Sequence, residues 1–137
     1  MPQAILTEQK APPLRFLIVD DSQADAHLVR QCLGEAFSSR TPDLEHASTS
    51  DEALARLEGT RYDLLLIDFR LGADDGISLL HRIRARGIGT PAIFLTGYGS
   101  EEIVARAIKA GVDDYVPKGP EHLPRLPDAV RHTLARF

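Results

Sequence analysis

The feature that most constrains this chain is an alternation between two kinds of segment. Three runs are short and almost continuously apolar: Arg15–Asp20 (RFLIVD), Asp63–Asp68 (DLLLID) and Ala92–Thr96 (AIFLT). Runs of that length suit parallel strands covered on both faces. Leu44–Ala47 (LEHA) and Asp114–Pro117 (DYVP) bring the number to five, and the first of these belongs near a sheet edge. Between the runs, apolar residues recur at helical spacing. Leu28, Val29, Cys32, Leu33, Ala36 and Phe37 form one stripe, and Ala53, Leu54 and Leu57 a second, with Thr49 and Glu52 spaced for a capping box. Ile77, Leu79, Leu80 and Ile83 form a third. Ile103, Val104, Ala107 and Ile108 follow, with Ser100 as cap and Gly111 as stop, and Leu126, Ala129, Val130, Thr133, Leu134 and Phe137 close the chain. Five strand–helix units predict an α/β fold: a doubly wound parallel sheet with helices on both faces. Right-handed crossovers leave few topologies.

At 137 residues the chain fits one domain with its own core. Residues 1–13 are polar, carry Pro2, Pro12 and Pro13, and read as a flexible extension before a domain at 14–137. The formal net charge of -4 argues against a broad nucleic-acid footprint, which needs clustered Lys and Arg. The single cysteine, Cys32, excludes an internal disulfide, and no Cys/His spacing suggests zinc. The N-terminus lacks the layout of a signal peptide, and no apolar run can span a bilayer. A cytoplasmic protein without membrane contact is expected.

In doubly wound sheets the site lies at the carboxyl ends of the strands. Here those positions hold Asp20-Asp21, Asp68, Thr96-Gly97 and Lys118. Singly, each has a plain reading: an Asp after a strand is commonly a turn residue or helix cap, and a loop Lys a solvated charge. Together they place three carboxylates, a hydroxyl and an ammonium on one rim. Clustered carboxylates repel in a partly dry cleft, and a hard divalent cation such as Mg²⁺ relieves that repulsion. A carboxylate can also act as a nucleophile and form an acyl phosphate. Phosphoryl transfer then needs positioning and charge neutralisation more than covalent machinery. Asp68, flanked by the others, is the candidate nucleophile. Asp20 and Asp21 are the candidate metal holders. Thr96 and Lys118 are candidates to contact phosphoryl oxygens.

The stretches VDD at 19–21, LLLID at 64–68, LTG at 95–97 and DYVPK at 114–118 resemble, in order and spacing, the receiver domains of two-component response regulators. The resemblance covers roughly Leu14 to Phe137. It implies a flavodoxin-like sheet of five strands in the order 2-1-3-4-5 with five helices. It also implies Mg²⁺-dependent transfer of a phosphoryl group from a histidine kinase or phosphotransfer protein to Asp68. Matched residue by residue, Asp20 and Asp21 organise the metal, the Arg70 main-chain carbonyl is a further ligand, and Lys118 contacts the phosphate. Thr96 and Tyr115 form the switch pair. Arg70 and Tyr98 occupy positions that tune phosphoryl lifetime. Output is expected through the fourth helix, fifth strand and fifth helix, toward a downstream protein or a second copy of the chain.

Two departures from the family pattern carry expectations of their own. Leu71-Gly72 stands where a Pro is frequent, so a looser loop is expected after Asp68. Lys118-Gly119 replaces the usual Lys-Pro, so a trans peptide is expected there. The five histidines, His27, His46, His81, His122 and His132, are assigned surface or packing roles, and Cys32 a core role. The Arg82, Arg84 and Arg86 run reads as a solvated face. No output domain is expected after the last helix, so signalling by protein contact is expected, with catalysis limited to the domain's own phosphorylation and dephosphorylation. The alternatives are a receiver belonging to a hybrid kinase or larger regulator, or a phosphatase-like enzyme with an aspartyl-phosphate intermediate. Against the latter, Ser22 stands two residues after Asp20, where such enzymes place a general acid.

Overall fold

The computed structural model describes residues 13–97 and 101–136. The expectations for residues 1–12, Tyr98, Ser100 and Phe137 lie outside the described residues. Five parallel strands form one sheet: β1 (Arg15–Val19), β2 (Asp43–Ala47), β3 (Leu64–Asp68), β4 (Ala92–Thr96) and β5 (Asp114–Pro117). Their spatial order is β2-β1-β3-β4-β5. Five helices alternate with them: α1 (Gln23–Ala36), α2 (Ser50–Gly59), α3 (Gly76–Ala85), α4 (Glu101–Lys109) and α5 (Leu126–Ala135). The fold is thus the flavodoxin-like, doubly wound arrangement that the alternation implies, with β2 at an edge.

The apolar runs explain the layering. Side chains alternate across a strand, so successive residues enter opposite cores. Phe16, Ile18, Leu64, Leu66, Ile93 and Leu95 pack with Ala26, Val29, Leu33, Leu126 and Val130 of α1 and α5. Leu17, Val19, Leu65, Ile67 and Phe94 pack on the other face with Leu54, Leu79, Leu80, Ile83 and Ala107 of α2, α3 and α4. All five residues of β3 and all five of β4 are buried. Each such Leu, Ile or Phe contributes roughly 1.5–3 kcal/mol through burial, which holds the central strands, and therefore their ends, in place.

Helix starts follow the sequence signals closely. Thr49 Oγ1 accepts from the Glu52 amide at 3.1 Å, while the Glu52 carboxylate reaches back to the Ser48 amide at 2.7 Å. The capping box is thus closed one residue earlier than its usual form. Ser22 caps α1 by accepting from the Asp25 amide, and Asp75 caps α3 by accepting from Ser78.

Several expectations are corrected. Asp20 lies just past β1 and Asp63 just before β3, because the sheet's pairing ends at Val19 and begins at Leu64. Leu28 is 50% exposed and Ile108 63% exposed, so the first and fourth apolar stripes are narrower than their sequence spacing suggests. The segment after Asp68 closes as a two-residue antiparallel ribbon, Arg70–Leu71 against Asp74–Asp75, with Leu71 buried and Gly72 at φ 62° making the turn. The basic run at the end of α3 does lie on the surface, with Arg82 and Arg86 exposed, and it is also paired: Arg82 bridges Asp51 and Asp74, Arg86 pairs with Glu58, and the half-buried Arg84 donates to the Ile88 carbonyl. Cys32 is half-buried, and burial raises its thiol pKa, as expected of an unreactive packing residue.

Candidate functional site

Strand register assembles the site. Val19 pairs with Ile67, so Asp20 and Asp68 leave adjacent strands at the same level. Asp68 is level with Leu95, and Thr96 with Pro117, which puts Thr96 and Lys118 on the same rim. The Lys118 amide donates to the Thr96 carbonyl at 2.8 Å, tying the ends of β4 and β5 together. Among the described residues no peptide bond is cis, so the Lys118–Gly119 bond is trans as expected.

The two central acids are withdrawn from solvent: Asp20 is fully buried and Asp68 is 7% exposed. Asp20, Asp21 and Asp68 each bring one carboxylate oxygen within 4.8 Å of the others. Lys118 Nζ lies 2.7 Å from Asp20 Oδ2 and 3.2 Å from Asp68 Oδ2. A cleft of about 270 Å³ opens over this group, lined by Asp21, Asp68, Arg70, Thr96, Gly97 and Lys118 among others. Thr96 is buried at its wall.

Close backbone packing fixes Asp68 from below. The first residue of α3, Gly76, donates its amide to the Phe69 carbonyl at 2.7 Å. A Cβ on Gly76 would stand 2.7 Å from the Asp68 carbonyl oxygen and 3.0 Å from Ile67 Cγ2. Glycine is what allows α3 to start against the end of β3. Across the cleft, Asp21 Oδ2 accepts from the Gly72 amide at 3.0 Å, so the ribbon after Asp68 is anchored to the acidic pair.

Charge is unevenly distributed over the group. Burial, reinforced by the charges of Asp20 and Asp21 and opposed by Lys118, raises the Asp68 carboxyl to about 6. Burial would depress the Lys118 ammonium, but its hydrogen bonds to Asp20 and Asp25 outweigh that and raise its pKa. The cleft therefore holds a firmly protonated cation beside a carboxylate that is costly to ionise without one. The donor set is all oxygen and net negative, which fits a hard divalent cation such as Mg²⁺ held by Asp20, Asp21 and Asp68.

Two contacts were not legible in the sequence. Asp25, in the first turn of α1, accepts from Lys118 Nζ at 2.9 Å. His46, at the end of β2, donates from Nε2 to the Asp20 main-chain carbonyl at 2.7 Å. Asp25 read as an ordinary first-turn helix acid, and His46 as one of five undistinguished histidines. Only the α1 crossover and the β1–β2 pairing bring them to the rim. Tyr115 is not part of the acidic cleft. It is 37% exposed and lines a separate groove of about 620 Å³ with Val104, Ile108, Pro117 and His122.

A doubly wound five-stranded sheet with an acidic trio and a lysine at its carboxyl edge is the arrangement that the receiver-like motifs imply, and comparison with known proteins agrees on the family. The chain belongs to the response regulator receiver domain family, whose model matches residues 16–131. It is 35% identical to the methanogenesis regulatory protein FilR1 of Methanothrix harundinacea, over 98% of this chain and 32% of that protein. It is 34% identical to the transcriptional regulatory protein TrcR of Mycobacterium tuberculosis, over 90% of this chain and 46% of that protein. The chain thus spans 32% and 46% of the length of these two curated relatives. A CheY-like receiver domain from Methanospirillum hungatei superposes with a TM-score of 0.78 at 31% identity, covering 91% of this chain and 96% of that one. A response regulator structure from Chloroflexus aurantiacus superposes with a TM-score of 0.80 at 27% identity, covering 91% of this chain and all of that one. Among the described residues no helix is long and apolar enough to cross a membrane.

Proposed function

We propose that the domain is a phosphorylation-activated switch that accepts a phosphoryl group on Asp68 from a histidine kinase or phosphotransfer protein. The observation that carries this reading is one ammonium, Lys118 Nζ, set between the buried carboxylates of Asp20 and Asp68, with three carboxylate oxygens gathered within 4.8 Å. An oxygen of Asp68 attacks phosphorus, a P–O bond forms, and the P–N bond to the donor imidazole breaks. The leaving imidazole takes its proton from solvent. Lys118 and the Thr96 hydroxyl stabilise phosphoryl oxygens, while Asp20, Asp21, Asp68 and the Arg70 carbonyl would hold Mg²⁺. That ion supplies neutralisation of charge on the transferring group. Hydrolysis later returns Asp68 and inorganic phosphate, so the domain's catalysis is confined to itself.

Thr96, drawn toward the phosphoryl group, and Tyr115 form the bistable pair that reports the event. The exposed Ile108 and Tyr115 on the groove between α4 and β5 support output through the α4–β5–α5 face, to a downstream protein or a second copy. Arg70 at the mouth of the cleft screens the acyl phosphate from water, the role the resemblance also gives to Tyr98.

The test is incubation with Mg²⁺ and a small phosphodonor, or with beryllofluoride, read by intact mass and by NMR. Wild type should gain one phosphoryl group or one spectral state, Asp68→Asn neither, and Arg70→Ala should lose the phosphoryl group faster. An adduct that persists in Asp68→Asn would overturn the assignment.

A further inference from the structure

We infer that Asp25 is a positioning residue for the phosphoryl-transfer lysine; this rests on the reading of Asp68 as phosphoacceptor. Lys118 is shared among three carboxylates from three elements: Asp20 after β1 at 2.7 Å, Asp25 on α1 at 2.9 Å and Asp68 at the end of β3 at 3.2 Å. Two of these partners, Asp20 and Asp68, are also among the oxygens gathered for a divalent cation. An ammonium and a metal ion compete for the same lone pairs. Asp25 is outside that trio, and it is the one partner that can keep Lys118 in the cleft while Asp20 and Asp68 are given up.

The local structure suits this role. The Lys118 side chain is 14% exposed, so it is confined near the cleft, whereas Asp25 is 44% exposed and keeps part of its hydration. Asp25 is fixed by its own main chain: its amide donates to the Ser22 cap at 3.2 Å, and the Ser22 amide donates to Asp20 Oδ1 at 2.9 Å. One capped turn thus carries both the Asp20 and the Asp25 carboxylates that accept from the ammonium. Past Lys118, the Gly119 carbonyl accepts from the His122 and Leu123 amides at 2.9 Å, main-chain bonds that fix the loop but leave the ammonium to its carboxylate partners. A charge-assisted anchor from α1 then holds the ammonium that the loop itself does not. Without Asp25, Lys118 settles on Asp20 and Asp68, opposes Mg²⁺, and meets the incoming phosphoryl group less often in the productive position.

The experiment is a double-mutant cycle with Asp25→Asn and Lys118→Ala. Calorimetric Mg²⁺ affinity and the rate of Asp68 phosphorylation by a small phosphodonor are both measured. Asp25→Asn should weaken Mg²⁺ binding and slow phosphorylation, each about three- to tenfold. In the Lys118→Ala background the same substitution should change Mg²⁺ affinity by less than about twofold. Equal effects in both backgrounds would mean that Asp25 acts as a distant charge, and would overturn the inference. No effect in either would do the same. Asp25→Glu, which keeps the charge, should recover most of the loss. Wild type that binds Mg²⁺ but is never phosphorylated would instead count against the Asp68 reading, while the affinity cycle still decides the Asp25–Lys118 coupling.

Discussion

Asp68 carries a cost that the fold imposes on it. An aspartate in an unfolded chain titrates near 3.9, while burial raises Asp68 to about 6 in the fold. Well below the unfolded value, near pH 3 and under, both states are protonated and the group is neutral in its effect. As pH rises through the interval up to about 6, the unfolded chain releases its proton first, so the metal-free fold loses stability. Asp68→Asn removes that penalty together with the Lys118 contact. In chelator at pH 7 we expect it to stabilise the domain by about 1–2 kcal/mol, and to converge on wild type near pH 3. Urea denaturation across that range measures it; a less stable Asn variant at pH 7 would show that the Lys118 pair outweighs the burial cost.

At the scale of elements, what matters is how closely α3 begins against β3. Gly76 is not in a left-handed conformation; it is glycine because the Asp68 carbonyl and Ile67 occupy the space a Cβ would take. Gly76→Ala must push the helix start away from β3 or displace the Asp68 main chain. The expected loss is about 1–3 kcal/mol of stability, with weakened Mg²⁺ binding even where the fold survives. Thermal denaturation and metal titration on the same variant check both. An unchanged Mg²⁺ affinity in a folded Gly76→Ala protein would separate the helix start from the site.

For the whole molecule, Glu45 is a junction that helps to tie in the edge at β2. Glu45 accepts from Tyr62 Oη at 2.7 Å, from Arg15 of β1 at 3.0 Å and from Arg56 of α2 at 3.0 Å. The Tyr62 hydrogen bond, then the two guanidinium charges, lower its pKa against the opposing effect of burial. A lowered carboxylate contributes stability above its unfolded value near 4.3 and loses it as pH falls through the folded value. Both arginines are more than a third exposed, so solvent screens their share. Glu45→Gln should cost on the order of 1 kcal/mol at pH 7, and the cost should shrink as pH falls through the folded value, a convergence that denaturation across that range will reveal.

The layering was determined in the sequence, because a strand buried on both faces has to be apolar at consecutive positions, and β3 and β4 are. So were Asp20, Asp21, Asp68, Thr96 and Lys118, since a parallel α/β sheet delivers the residues after its strands to one edge. Their mutual distances were not, nor were Asp25 and His46, whose places depend on how α1 crosses over β1 and how β2 registers beside it. The exposure of Leu28 and Ile108 was likewise decided by packing: helical spacing marks which residues share a face, but only the neighbouring elements determine how wide a face is covered. The ribbon after Asp68 is tertiary for the same reason, held by a hydrogen bond from Gly72 to Asp21, fifty-one residues earlier in the chain.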